Sequence, residues 1–180
     1  MAVKTFSVSE VLTASDTNTY LANSGLVYVT SATVGSGVSS VTVSSAFNST
    51  YENYRIVYNG GVGSTLHNMR LQLGSASTGY YGAGNYANST AATGGVGDNN
   101  TSLFRYIGGG DTYGSTVVLD LMSPQLAKAT YVSAVINTGT SFGFYAGRYF
   151  PTDQFTAFTI SPDGGTLTGG TISVYGYRKA

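Results

Sequence analysis

Cysteine and tryptophan are missing from this chain of 180 residues, and histidine occurs once, at His67. Without cysteine there is no disulfide, no thiolate nucleophile and no cysteine-ligated metal. A single histidine is also a poor start for a zinc centre, so no metal site is expected. Charge is scarce: 9% of residues are charged, against roughly 25% in an average globular protein. Eight basic residues balance eight acidic ones, which removes the electrostatic footprint of a nucleic-acid or anionic-membrane binder. No apolar run approaches the ~20 residues of a membrane-spanning helix. Met1–Ser9 lacks the basic-then-apolar layout of a signal peptide. The expectation is a protein made without signal-directed export, with no membrane insertion, no nucleic-acid partner and no cofactor.

What remains is apolar and small-polar. Hydrophobic residues make up 42% of the chain, with fifteen tyrosines and 25 glycines. That is enough apolar material to rule out a disordered chain, and the length suits a core of useful size. A surface of Ser, Thr, Asn, Gly and Tyr with no net charge suits a subunit that assembles with others.

From Leu26 onward the pattern alternates with a period of two. Leu26–Val34 and the Val41/Val43 pair are rich in β-branched residues. Tyr54, Ile56 and Tyr58 share one face, as do Met69, Leu71 and Leu73, and again Val117, Leu119 and Leu121 opposite Asp120. Further strand-like runs are Thr130–Ile136, Ser141–Arg148, Phe155–Ile160 and Thr171–Tyr177. About nine or ten short strands with no helical pattern between them predict an all-β, antiparallel sandwich of jelly-roll type. Gly74–Asn100, with its many glycines, reads as the longest irregular loop. Loops beyond ~12–15 residues tend to be functional. Tyrosine in a loop offers contact area and a hydroxyl at little entropic cost. Tyr80, Tyr81, Tyr86 and Tyr113 are therefore the candidate receptor contacts. Gly60–Gly63, Gly108–Gly110 and Gly164-Gly165 read as turns; the first lacks the lysine of a phosphate loop.

No catalytic set emerges. His67 lies in a strand-like run without a nucleophile elbow and reads as a surface or edge residue. Glycoside hydrolysis needs two carboxyls about 5–9 Å apart. Among the eight acidic residues no spacing selects a pair, although Asp98 and Asp111 flank a strand and could meet. The sequence therefore predicts no enzyme and no catalytic residue.

The segment SEVLTASDTNTYLANSG (residues 9–25) has helix signals at both ends. Thr13 can cap, Asp16 falls where the helix dipole favours a negative charge, and Gly25 can take the left-handed stop conformation. Val11 or Leu12 can staple against Thr17 or Tyr20. About ten residues are marginal as an isolated helix, so this one needs something to pack against.

KTFSVSEVLTASDTNTYLANSGLVYV carries Phe6, Glu10, Val11, Leu12, Thr13, Ala14, Asp16, Asn18, Tyr20, Leu21 and Asn23. In these residues it resembles the opening of many phage tail-fibre and minor tail proteins. Val41–Gly60 and Phe158–Lys179 resemble the first and last strands of small phage virion β-sandwich domains. The resemblance implies residues 1–25 as an anchoring arm with one short α-helix and residues 26–180 as the sandwich. Phe6, Val11, Leu12, Thr13, Asp16, Tyr20 and Leu21 would be the docking residues of that arm. It further implies a homotrimer in the virion, in contact with other phage tail or capsid proteins. As a short tail-fibre or receptor-binding knob, it would also contact a host surface glycan or protein. A capsid decoration or head-fibre protein is the alternative, and a glycan-degrading tailspike a remote one.

Overall fold

The computed structural model describes residues 7–16 and 25–178. Ala14–Asp16 form a single helical turn, α1, directly after Thr13. Residues 17–24, and with them most of the expected helix, lie outside the described residues. Gly25 has a φ of +82°, the conformation expected of it.

The remainder is antiparallel strand. In chain order the strands are β1 (Leu26–Thr33), β2 (Val41–Val43), β3 (Asn53–Gly63), β4 (His67–Leu73), β5 (Tyr80–Asn88), β6 (Thr93–Thr101) and β7 (Phe104–Gly110). They continue with β8 (Ser115–Met122), β9 (Thr130–Asn137), β10 (Ser141–Tyr149), β11 (Phe158–Pro162), β12 (Leu167–Thr168) and β13 (Thr171–Tyr177). All thirteen belong to one open sheet with the path β2-β11-β4-β7-β8-β9-β10-β5-β6.

β8 is where this sheet branches. Along one edge it pairs with β3, from Asn53 opposite Met122 to Gly61 opposite Ser115. Its other edge is shared: Ser115–Val117 pair with β7 and Leu119–Met122 with β9. β3 passes the ladder on to β13, and β13 to β1. Because β7 and β9 leave the same edge, the β2-β11-β4-β7 limb folds over the β9-β10-β5 limb in sandwich fashion. Phe104 of β7 accordingly stacks edge-on to Tyr80 of β5 at 4.9 Å and lies 6.4 Å from Tyr145 of β10. Phe47 packs between β3 and β11, 4.9 Å from Tyr54 and 5.6 Å from Phe158.

The expected alternation carries this core. Tyr54, Ile56, Tyr58, Met69, Leu71, Leu73, Val117, Leu119 and Leu121 are all buried. Burying a large apolar side chain is worth about 1.5–3 kcal/mol, so the alternation fixes both register and inward face. Buried tyrosines keep their hydroxyls bonded: Tyr54 Oη donates to Asn48 O at 2.8 Å and Tyr58 Oη to Gly169 O at 3.0 Å.

Three glycine-rich stretches differ from expectation. Gly74–Asn100 is not an irregular loop: most of it forms the β5–β6 hairpin. Gly79, Gly82, Gly84 and Gly94 sit where a ring or a neighbouring backbone occupies the space a Cβ would need. A Cβ on Gly82 would collide with the Tyr145 hydroxyl, and one on Gly94 would lie 2.7 Å from the Tyr86 ring. Gly60–Gly63 is the bulged end of β3, with the register slipping between Tyr58 and Gly61 and Gly60 at φ +76°. Gly108–Gly110 end β7 and pair with Ser115–Val117 of β8. The turn follows at Asp111, whose Oδ1 accepts from the Tyr113 N–H at 2.7 Å.

His67 is buried, not at the surface. Gly63 makes room for its ring, since a Cβ there would strike it. Nδ1 lies 2.8 Å from the Thr65 carbonyl, which can only accept, so Nδ1 carries the proton. Nε2 is left to accept from Ser115 Oγ at 3.3 Å.

Candidate functional site

The sandwich leaves a cleft of about 360 Å³ at one end, where β4 and β7 face β5, β6 and the end of β9. Two half-buried tyrosines line it. Tyr86 of β5 lies against Gly94, and only a glycine leaves its ring that place. Tyr106 of β7 is braced from behind: the Arg105 guanidinium lies 5.3 Å from its ring centroid, and the Tyr145 ring 6.0 Å. Arg105 is itself held by the buried carboxylate of Asp98, which also accepts from the Arg105 N–H at 3.2 Å and from Tyr145 Oη at 2.5 Å. Burial, reinforced by the Asp98 hydrogen bond and charge, pushes the Tyr145 hydroxyl far above its ordinary range. Its hydrogen atom is donated to Asp98.

The polar side of the cleft comes from Asn68, Asp163, Thr138, Thr140 and Ser141. Asp163 Oδ1 accepts from the Asn68 N–H at 2.8 Å and Oδ2 from Asn68 Nδ2 at 2.9 Å, fixing the carboxylate in place. The Arg70 guanidinium donates to the Asp163 carbonyl at 3.1 Å. Apolar ring faces beside hydroxyls, an amide and one carboxylate, in a volume of this size, suit a small polyhydroxylated ligand.

The four tyrosines picked out in the sequence part company. Tyr80 is wholly buried, its hydroxyl accepting from the Leu73 N–H at 2.9 Å and its ring 4.8 Å from Tyr149. It is a core residue and offers nothing to a receptor, because its strand turns it inward against β7. Tyr81, its neighbour, points to the opposite face and packs edge-on to Phe150 at 4.7 Å. Tyr86 lines the cleft. Tyr113, 94% exposed, crowns the β7–β8 turn.

Ahead of β1, Val11 and Leu12 are exposed, with Val11 at 79%, and Val8 is more exposed still. Thr13 precedes α1 and Asp16 is its last residue. Phe6, Tyr20 and Leu21 lie outside the described residues. Asp98 and Asp111 have separate partners: Asp98 holds Arg105 and Tyr145, while Asp111 ties its own turn. Among the described residues no group of three or more His, Asp or Glu could hold a metal ion.

The sequence reading missed Tyr106, the Asn68–Asp163 pair and the outer aromatics Phe142 and Phe144. Only the last left a signal: in SFGFYAGRYF both faces of the strand carry rings, so one face had to be exposed or covered by another surface.

No protein-family model matches the chain, and no curated protein matches it significantly. Among solved structures, exo-inulinase from Aspergillus awamori aligns at 13% identity and a TM-score of 0.35, over 89% of this chain. This chain spans 31% of the length of that protein. The tripod from the baseplate of bacteriophage Tuc2009 aligns at 15% identity and a TM-score of 0.22, over 99% of this chain and 79% of that one. The VP2 subviral particle of infectious bursal disease virus aligns at 9% identity and a TM-score of 0.18, over 84% and 41% of the respective chains. At these TM-scores the likenesses decide neither fold detail nor function.

Proposed function

We propose that this chain is a non-enzymatic structural protein of a phage virion: a short tail-fibre or receptor-binding knob, held by its N-terminal arm and assembled as a homotrimer. The observation that carries the attachment is the uncovered apolar side chains of Val8, Val11 and Leu12. They stand beside a resemblance to phage tail-protein openings in the same residues. The receptor half rests on the end cleft, with Tyr86 and Tyr106 as ring platforms and a host surface glycan as the ligand that fits best. A capsid decoration or head fibre is the second reading, since the same arm could dock on a head.

The cleft also supports the non-enzymatic reading over a glycan-degrading tailspike. Among the described residues lining it, Asp163 is the one carboxylate, and both of its oxygens are engaged by Asn68. A glycosidase requires two carboxyls, one of them an acid with a raised pKa.

Deleting residues 1–24 should leave the melting temperature within a few degrees and abolish incorporation into particles. Unfolding on deletion would show the arm to be part of the core. Tyr86→Ala should abolish binding of purified protein to host cells while leaving the far-UV spectrum unchanged. If cells are never bound, and a tagged copy labels the head lattice regularly, the tail reading gives way to decoration. Release of sugar from host polysaccharide would overturn the non-enzymatic assignment.

A further inference from the structure

Among the described residues nothing covers the outer face of β8, β9, β10, β5 and β6, and its composition is not that of a solvated face. Phe144 is 75% exposed, and Phe142 on the same strand is about half exposed. In the ladder Phe144 stands between Val135 of β9 and Asn85 of β5. Val118 and Val135, both exposed, extend the apolar row. The row beside it is small: Ala146 stands between Ser133 and Ala83. These three residues floor a hollow of about 310 Å³ against which the Phe144 ring forms a wall. Charge on this surface is sparse. Arg55 and Asp120 neutralise each other through two hydrogen bonds of 2.9 and 2.7 Å. Arg148 lies against the Phe150 ring at 3.9 Å, with Tyr131 at 5.4 Å.

We propose that this face is the contact between copies of this chain, with Phe144 of one copy seated in the Ala83–Ser133–Ala146 hollow of its neighbour. Three observations select a second copy over a foreign partner. The projection and the recess that would receive it lie side by side on one face, the self-complementarity that a symmetric assembly needs. A chain with no net charge, and a face that carries the matched Arg55–Asp120 pair and the ring-packed cation Arg148, presents little charge with which to repel its own kind. The size fits too. Five strands at about 4.8 Å spacing and seven residues at about 3.3 Å give roughly 24 by 23 Å in plan. With the relief of the rings that is on the order of the ~800 Å² each partner gives to a standard interface.

The inference gives the self-association in the proposed function a surface, and rests on that part of it alone; it needs no particle. In sedimentation at tens of micromolar the intact protein should run at a multiple of its 18.6 kDa chain mass. Phe144→Asp should run as a single chain with an unchanged far-UV spectrum, and with a melting temperature that no longer depends on protein concentration. Should Phe144→Asp fail to fold, the milder Ala146→Gln fills the hollow and makes the same prediction. The absence of cysteine allows a geometric check: an equimolar mixture of Phe144→Cys and Ala146→Cys chains should yield the mixed disulfide, whereas Val62→Cys mixed with Phe144→Cys should not. A single-chain mass for the intact protein, or an oligomer that survives both substitutions, overturns the proposal. Neither result touches incorporation into particles, which tests the virion reading separately.

Discussion

Asp120 accepts from Arg55 through both carboxylate oxygens and from the Tyr177 hydroxyl at 2.6 Å. Burial alone would raise this carboxyl; the hydrogen bonds from Arg55 and Tyr177, with the Arg55 charge, outweigh it and hold the group below its ordinary value. A depressed folded-state pKa contributes stability above the unfolded value, and loses it as pH falls through the folded one. Asp120→Asn should therefore lower the unfolding free energy at neutral pH, by about 1 kcal/mol for a partly exposed pair. It should also flatten the acid limb of a stability–pH profile below about pH 4. An unchanged acid limb would show that Asp120 is not the group responsible. At the alkaline end the sign reverses. Burial, with the hydrogen bond to Asp153 at 2.6 Å, pushes the Tyr149 hydroxyl up to about 12. Its contribution is complete below the unfolded tyrosine value of about 10, and is lost as pH rises through 12. Tyr149→Phe should remove that part of the alkaline transition while sparing the acid one.

At the scale of the element, the β5–β6 hairpin is the most demanding piece of the chain. Gly82→Ala drives a methyl into the Tyr145 hydroxyl and hence into the Asp98–Arg105 group behind Tyr106. Overpacking of this kind costs about 1–3 kcal/mol, so thermal melting should fall and ligand binding in the cleft should weaken with it. Asn88→Ala instead removes the acceptor that holds the N–H groups of Thr90 and Ala92 at 3.0 Å in the connecting turn. It should cost about 1 kcal/mol and leave the cleft intact. This hairpin also marks the limit of what the sequence discloses. Strands with alternating Val, Ile, Leu and Tyr, such as Thr171–Tyr177, announce themselves because burial drives the pattern. β5 mixes tyrosine with glycine, and β6 is rich in glycine with no aromatic residue; glycine in isolation argues against a strand. Its presence follows from rings on β10 and on β5 itself, partners that local sequence does not reveal. Tyr86 was legible as a tyrosine worth noticing, but not its separation from Tyr80. His67 went inward for the same reason, because the room for it is made by Gly63 and its partner Ser115 is 48 residues away.

For the whole molecule, β8 ties every strand into a single network. Both limbs are paired to it, and its inward residues Val117, Leu119 and Leu121 are buried between them. Leu119→Ala should cost about 2–5 kcal/mol and displace one cooperative transition. Two separated transitions in calorimetry would mean that the limbs are independent and that β8 is no hub. A different consequence follows from the pairing of β1 with β13, in which Leu26 lies opposite Tyr177. The two strands present their free ends side by side. Tension applied between those ends pulls across the ladder, breaking its hydrogen bonds one pair after another instead of loading them together. Tension applied between Leu26 and Val62, on the exposed far end of β3, runs along the strands. The fold should therefore be mechanically soft in the first direction and stiff in the second, so the points at which load enters decide how much force it withstands.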